Sequence, residues 1–495
     1  MKGKTSMLSS LKATAVLASS SIVTVLLGLI SSKVYAVALG PPGLGFLVLL
    51  QSLLGFAGLL VGMGIGTGII RLVPSALADK NLEEVAALYK AARLLLWILG
   101  CAGILIFVLF SGPISQLMLG SSAYALNVAL VSPALLLNLT AGLATSFLNA
   151  HHQIKTLAKV TVVTSIASTI VNVGLIWVWR MDGITVAFIA GAAINWLVVH
   201  YFVRKEIGPV ATPLSNAPLL PTFKRLLQFG IPYTGSMLVG TGVQLLMPVL
   251  VLHTLGAGVV GYYRAAITVS VSYLGFLLTA MGQDYFPRVS AARDEPAELG
   301  RLVNDQYRLV LIIGVPLILC LLALTPLLIA VIYTPQFAPA VDVLEWQLIG
   351  DLFKLSSWTL GYVILARSSG QVLFLTEFIA GCMLVFTSWA GMQWFGTVGL
   401  GIGFLITYIV HFLVNWAIVR REIHFAWNRS NTLIFLAALS AALVIRVMPF
   451  LGLIDYRTPV ALAFALLAGA ASLYILWKDV GGRKLIFAMR GGRNE

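Results

Sequence analysis

From Leu11 to Trp477 the chain is one apolar run after another, each close to the length of a membrane span and each ended by a short polar segment. About 20 apolar residues are what a helix needs to cross the hydrocarbon core of a bilayer. Inside lipid every backbone amide must be paired within its own helix or barrel, so such a chain folds as a bundle of membrane helices. Charged residues make up 10% of the chain, where a soluble domain carries about 25%. A soluble fold of this length would leave much of its apolar surface in water. The expected fold class is all-α integral membrane.

Fourteen spans are read. Six are Leu11–Ala36, Leu44–Ile70, Leu94–Phe110, Ala123–Leu148, Val160–Val178 and Ile184–Val203. Six more are Leu226–Leu255, Val259–Tyr285, Leu309–Ile332, Val343–Ala366, Val372–Ala390 and Val398–Val419. Leu433–Val447 and Pro459–Trp477 complete the set. Lys2, Lys4 and Lys12 before the first run read as the flank of an uncleaved helix rather than of a secretory signal, because another long run begins within about ten residues.

The net charge is +14, which by itself would fit a nucleic-acid partner. The placement of the charges argues against one. Of 32 Lys and Arg residues, 26 fall on one set of alternate segments. Four, Lys33, Arg180, Arg446 and Arg457, fall on the other, and Arg264 and Lys354 lie within spans. Basic loops stay on the cytoplasmic side during insertion and meet anionic headgroups there. The expectation is a multi-pass membrane protein with both termini in the cytoplasm. Cys101, Cys320 and Cys382 sit apart in apolar runs, without the spacing of a metal site.

The chain also repeats itself at an offset of 216 residues. Leu39-Gly40 recurs as Leu255-Gly256, Gly45 as Gly261, Gly183 as Gly399, and Val203–Ile207 as Val419–Ile423. Each unit holds six spans, so the two run in the same sense across the membrane. The expected organisation is a six-helix lobe over 1–208, a second over 209–424, and two further helices with a basic tail over 425–495. Two parallel lobes suit alternating access.

Ionisable residues inside spans cost about 2.5–3.5 kcal/mol each on the insertion scale, so each needs a reason to be there. In the tenth span Gln347, Asp351, Lys354 and Trp358 follow i, i+4, i+7, i+11 spacing and share a face. They are read as a polar stripe that meets cargo, with Asp351 orienting Lys354; a structural ion pair is the alternative. Lys33 and Arg264 are candidate anion contacts toward the outer side. Arg71 and Arg288 end the second and eighth spans and are candidate inner-gate cations. Asp284 and Glu377 are candidates for coupling H⁺ or Na⁺. His253 and His411 stand alone on separate spans. The chain is expected to be no enzyme: the loops are short, and no catalytic or metal constellation appears.

The run Leu39-Gly40-Pro41-Pro42-Gly43-Leu44-Gly45, preceded by Lys33, resembles the first hairpin of Wzx-type polysaccharide flippases. Trp346-Gln347-Leu348-Ile349-Gly350-Asp351 through Lys354, followed by Gly361-Tyr362 and Glu377, is similar to the flippases for enterobacterial common antigen lipid and for O-antigen. The resemblance implies the MATE-like fold of the multidrug/oligosaccharidyl-lipid/polysaccharide (MOP) exporter superfamily. It also implies a cargo, an undecaprenyl-pyrophosphate-linked oligosaccharide moved between leaflets, and a polysaccharide polymerase as partner. Lys33, Asp351 and Lys354 match family positions, whereas Arg264 rests on its placement alone. The last two helices set the chain beside fourteen-helix members such as the peptidoglycan lipid II flippase. A lipid II-type or drug antiporter is the alternative within transport. A membrane polymerase is disfavoured by the short outer loops.

Overall fold

A computed structural model describes residues 2–208, 219–368 and 370–480. Residues 209–218, at the start of the expected second lobe, and the basic tail beyond 480, with Arg483, Lys484, Arg490 and Arg493, lie outside them. Among the described residues every regular element is helical. Ten stretches are long and apolar enough to cross a membrane, and two of 53 and 54 residues hold a hairpin each. The protein is a multi-pass membrane protein.

Seven helices open the chain: α1 (Lys2–Gly62), α2 (Ile65–Ala78), α3 (Leu82–Leu109), α4 (Ser111–Leu119), α5 (Ala125–Ala150), α6 (Ile154–Glu206) and α7 (Leu219–Leu255). Then come α8 (Ala257–Ala280), a π turn (Met281–Tyr285), α9 (Phe286–Ala291), α10 (Pro296–Ile332), α11 (Pro339–Arg367), α12 (Gly370–Phe395), α13 (Gly399–Ile423), α14 (Arg429–Val447) and α15 (Ile454–Val480). Each of the fourteen expected spans finds a helix. The second span is corrected: it is not continuous, because Met63 and Gly64 take positive φ (43° and 62°) and split α1 from α2.

Two compact units result. One is Met1–Gly261 with Ile332–Thr334, the other Tyr262–Val331 with Pro335–Glu495. The first is centred on an apolar cluster that includes Ile65, Ile69, Leu88, Leu143, Phe147 and Leu226. Entry to α3 is fixed by Asn81, whose Oδ1 accepts the Glu84 amide at 3.0 Å. This satisfies one of the amides that a helix start leaves without a partner.

The repeat is written into the backbone. Gly40 and Gly256 both take positive φ (64° and 92°), as do Arg180 and Gly396 (52° and 56°) and Gly208 and His424 (89° and 52°). All three pairs are 216 residues apart. Contacts repeat too: a Cβ on Gly45 would strike the Ala257 carbonyl, and one on Gly261 would strike the Pro41 carbonyl. Those four positions form two pairs at the same offset. Arg180 is not merely a loop cation. It bends α6 into two legs, and its guanidinium donates to the Ala38 carbonyl at 2.9 Å.

Candidate functional site

The polar stripe of α11 lies within the second unit, packed against α13. Gly350 permits the close approach: a Cβ there would come 2.7 Å from the Phe404 ring. The stripe shares a face as its spacing requires, but its two ionisable side chains part company. Asp351 is fully buried and turns to α8. Ser270 Oγ donates to its Oδ2 at 2.8 Å and the Tyr273 hydroxyl donates at 2.5 Å. Oδ1 has no hydrogen-bond partner among the described residues.

Lys354 is 9% exposed and turns the other way. Its ammonium lies 5.3 Å from the Trp358 ring centre, 5.3 Å from Phe404 and 5.0 Å from Tyr408. Among the described residues no carboxylate lies within 4.0 Å of its ammonium. Each ring contact contributes about 0.5–2 kcal/mol. Desolvating an ammonium costs several kcal/mol, so the cage offsets only part of that cost. The result is a buried cation enclosed by ring faces from α11 and α13. One turn before Asp351, Gln347 is fully buried, and both its amide atoms lack a partner among the described residues.

Beside the cage runs a network that the sequence did not suggest. Ser357 Oγ lies 3.0 Å from His411 Nδ1, and Asn415 Nδ2 donates to Ser357 Oγ at 2.9 Å. His411 Nε2 lies 3.9 Å from Glu377 Oε1, whose side chain is more than half exposed. His411 is thus not isolated. The signal was available: His411 and Asn415 are four apart on one apolar helix, and each needs a buried partner.

A second omission sits at the other end of α11. Glu345, 1% exposed, is paired with Arg457 and lies 3.5 Å from Arg446 Nε. Arg446 NH2 also lies 2.9 Å from Asp342 Oδ1, and its guanidinium rests over Trp346 and Phe450 at 5.3 and 5.1 Å. Arg446 and Arg457, expected as outer-loop cations, are instead the pins that hold α14 and α15 to α11.

The remaining candidates lie on other elements. Arg264 is half-buried on α8. It is six residues before Ser270, which puts it on a different side of the helix from Ser270 and Tyr273. Lys33, in the first unit, donates to the Tyr333 carbonyl. Arg71 is exposed and lies 4.5 Å over the Phe229 ring. Arg288 pairs with Asp284 at 3.1 Å, both exposed.

The sequence matches the polysaccharide biosynthesis proteins over residues 34–342, well over half of the chain. The chain belongs to that family. Its resemblance to polysaccharide flippases, expected from the first hairpin and the tenth span, is borne out. The chain is 26% identical over 410 residues to the lipid III flippase of Escherichia coli (strain K12), covering 80% of this chain and 94% of that protein. In three dimensions the family member is similar to the lipid II flippase MurJ in an inward closed conformation. The TM-score is 0.71 at 14% identity, over 94% of this chain and 99% of MurJ. It is also similar to an inward-facing multidrug resistance MATE family transporter of the MOP superfamily. There the TM-score is 0.71 at 13% identity, over 81% of this chain and 94% of the other. The fold is that of the MOP superfamily, as expected. These relatives are flippases and transporters, not catalytic enzymes.

Proposed function

We propose that this family member is a flippase that carries an undecaprenyl-pyrophosphate-linked oligosaccharide from the inner to the outer leaflet of the bacterial cytoplasmic membrane by alternating access. The relative named lipid III flippase supports a lipid-linked cargo. The observation that carries the reading is the buried, aromatic-caged Lys354 with no carboxylate in direct contact among the described residues. A pyrophosphate brought into an apolar interior would cost on the order of tens of kcal/mol in the Born limit unless met by cations and hydrogen-bond donors. Lys354 supplies the charge, and the unpaired amide of Gln347 supplies a donor on the same face. Asp351 sets the local field, and Trp358 offers a ring to stack on sugar. Lys33 and Arg264 serve as further anion contacts, and Arg71 and Arg288 as inner-side cations. The basic segments face the cytoplasm, with both termini there. The two six-helix repeats are the moving lobes, and a polysaccharide polymerase takes the product.

The test is Lys354→Ala in a cell that depends on this protein. Surface polysaccharide is expected to disappear while the protein stays in the membrane; normal polysaccharide overturns the assignment. A second reading, a cation-coupled antiporter, is favoured by one observation: Glu377 and His411 at 3.9 Å form a carboxyl–imidazole pair able to hold H⁺ or Na⁺. Drug-resistance profiling of a deletion strain separates the two.

A further inference from the structure

We infer that the first unit holds a separate site for an uncharged sugar ring, in a cavity of about 510 Å³ between α5 and the two legs of α6. Its volume falls within the range of about 300–1,000 Å³ typical of ligand pockets. The polar part of the wall comes from three helical segments: Asn138 and Thr145 on α5, Thr161, Thr164, Ser165, Ser168 and Asn172 on the first leg, and Asn195 on the second; of these Thr145, Thr161 and Ser165 are already hydrogen-bonded. Thr164, Ser168 and Asn172 follow i, i+4, i+8 spacing and share a face. Among the described residues no charged side chain lines the cavity.

The plain alternative is that these amides glue helices together, which is common in membranes. The same helix pair shows what glue looks like: Asn127 Nδ2 donates to Thr185 Oγ1 at 2.9 Å, joining α5 to α6. Among the described residues Asn138, Asn172 and Asn195 make no such bond, and Thr164 Oγ1 and Asn172 Oδ1 are buried without any partner. Gly191 makes room for one of these amides, since a Cβ there would come 3.0 Å from Asn172 Nδ2. Buried polar groups are paired in nearly all proteins, so a cluster left open marks a place where something else supplies the bonds.

The chemistry of the wall selects the class of ligand. An anion would call for basic residues and a cation for carboxylates. A flat apolar drug would call for aromatic walls, and Phe188 is the single ring in the lining. Neutral amides and hydroxyls that both donate and accept fit vicinal hydroxyls, and the amides also fit the acetamido group of an N-acetylhexosamine. The site therefore reads the glycan, while Lys354 in the second unit reads the phosphate. The choice of a glycan ligand rests on the flippase reading above.

The test uses the full-length protein in lipid nanodiscs. Two probes are compared: undecaprenyl pyrophosphate, and the same lipid carrying one N-acetylhexosamine. The wild-type protein is expected to bind the glycosylated lipid at least about tenfold more tightly, the worth of two or so net hydrogen bonds. Asn172→Leu and the milder Asn195→Ala and Thr164→Val are each expected to reduce that preference severalfold and leave affinity for the bare lipid unchanged. Unchanged bare-lipid binding also shows that the variant is folded. Variants that keep the full preference overturn the sugar site and leave the flippase reading intact. A wild-type protein that binds neither lipid overturns both. Equal binding of the two lipids by wild type overturns the sugar site alone.

Discussion

Lys354→Met separates a binding site from a structural ion pair by the sign of two effects. Methionine keeps an unbranched side chain of similar reach and removes the ammonium. Three ring contacts at 5.0–5.3 Å are lost, together about 1.5–6 kcal/mol at 0.5–2 each. The new sulfur recovers about 0.3–1.5 kcal/mol per ring. The desolvation cost of the buried cation, several kcal/mol, vanishes with the charge. Asp351 keeps its two donors, Ser270 and Tyr273. The vanished desolvation cost and the new sulfur contacts together match or exceed the lost ring contacts, so little or no net destabilisation is expected. Breaking a buried ion pair would instead cost about 3–5 kcal/mol. Denaturant unfolding of the purified protein in detergent measures the first quantity, and surface polysaccharide in a deletion strain measures the second. Stability near wild type with polysaccharide lost is the expected pair of results. A loss of 3 kcal/mol or more, or polysaccharide at wild-type levels, refutes the reasoning.

Tyr273→Phe removes one of two donors to Asp351. It is expected to cost about 1.5–3 kcal/mol in the same unfolding assay; no change would mean that this hydrogen bond does not form in the membrane. Glu345→Ala leaves Arg446 and Arg457 without their buried carboxylate. It is expected to cost about 3–5 kcal/mol and to open the α13–α14 connection to protease, while Glu345→Leu combined with Arg446→Met and Arg457→Leu restores resistance. Gly261→Ala drives a methyl into the Pro41 carbonyl, for about 1–3 kcal/mol of overpacking and a lower yield of protein in the membrane; wild-type yield and stability would show that the contact yields freely.

Much of the fold was legible because the bilayer imposes one length on every span and one sign of charge on alternate loops. Gly40, Gly45, Gly256 and Gly261 announced the repeat because the backbone at those positions needs positive φ or close approach, and a side chain would forbid it. The break at Met63–Gly64 was signalled too, by Gly62, Gly64, Gly66 and Gly68, but the apolar run on either side masks it. Helical spacing placed Asp351 and Lys354 on one face and brought Trp358 to Lys354. Spacing does not say which neighbour each side chain meets, and the two point to α8 and α13. Arg446 and Arg457 read as loop cations in the sequence because their partner, Glu345, lies about a hundred residues away in the chain. Only three-dimensional packing joins them.

The clamp at Glu345 ties the last hairpin to the rest of the chain in a way that deletion would expose. A protein ending after α13 would strip Glu345 of both guanidiniums that pair with it here. The tail of this chain is therefore not a detachable accessory. Any viable shorter form must also trade position 345 for an oily residue, so that one site reports whether the final pair of helices is present.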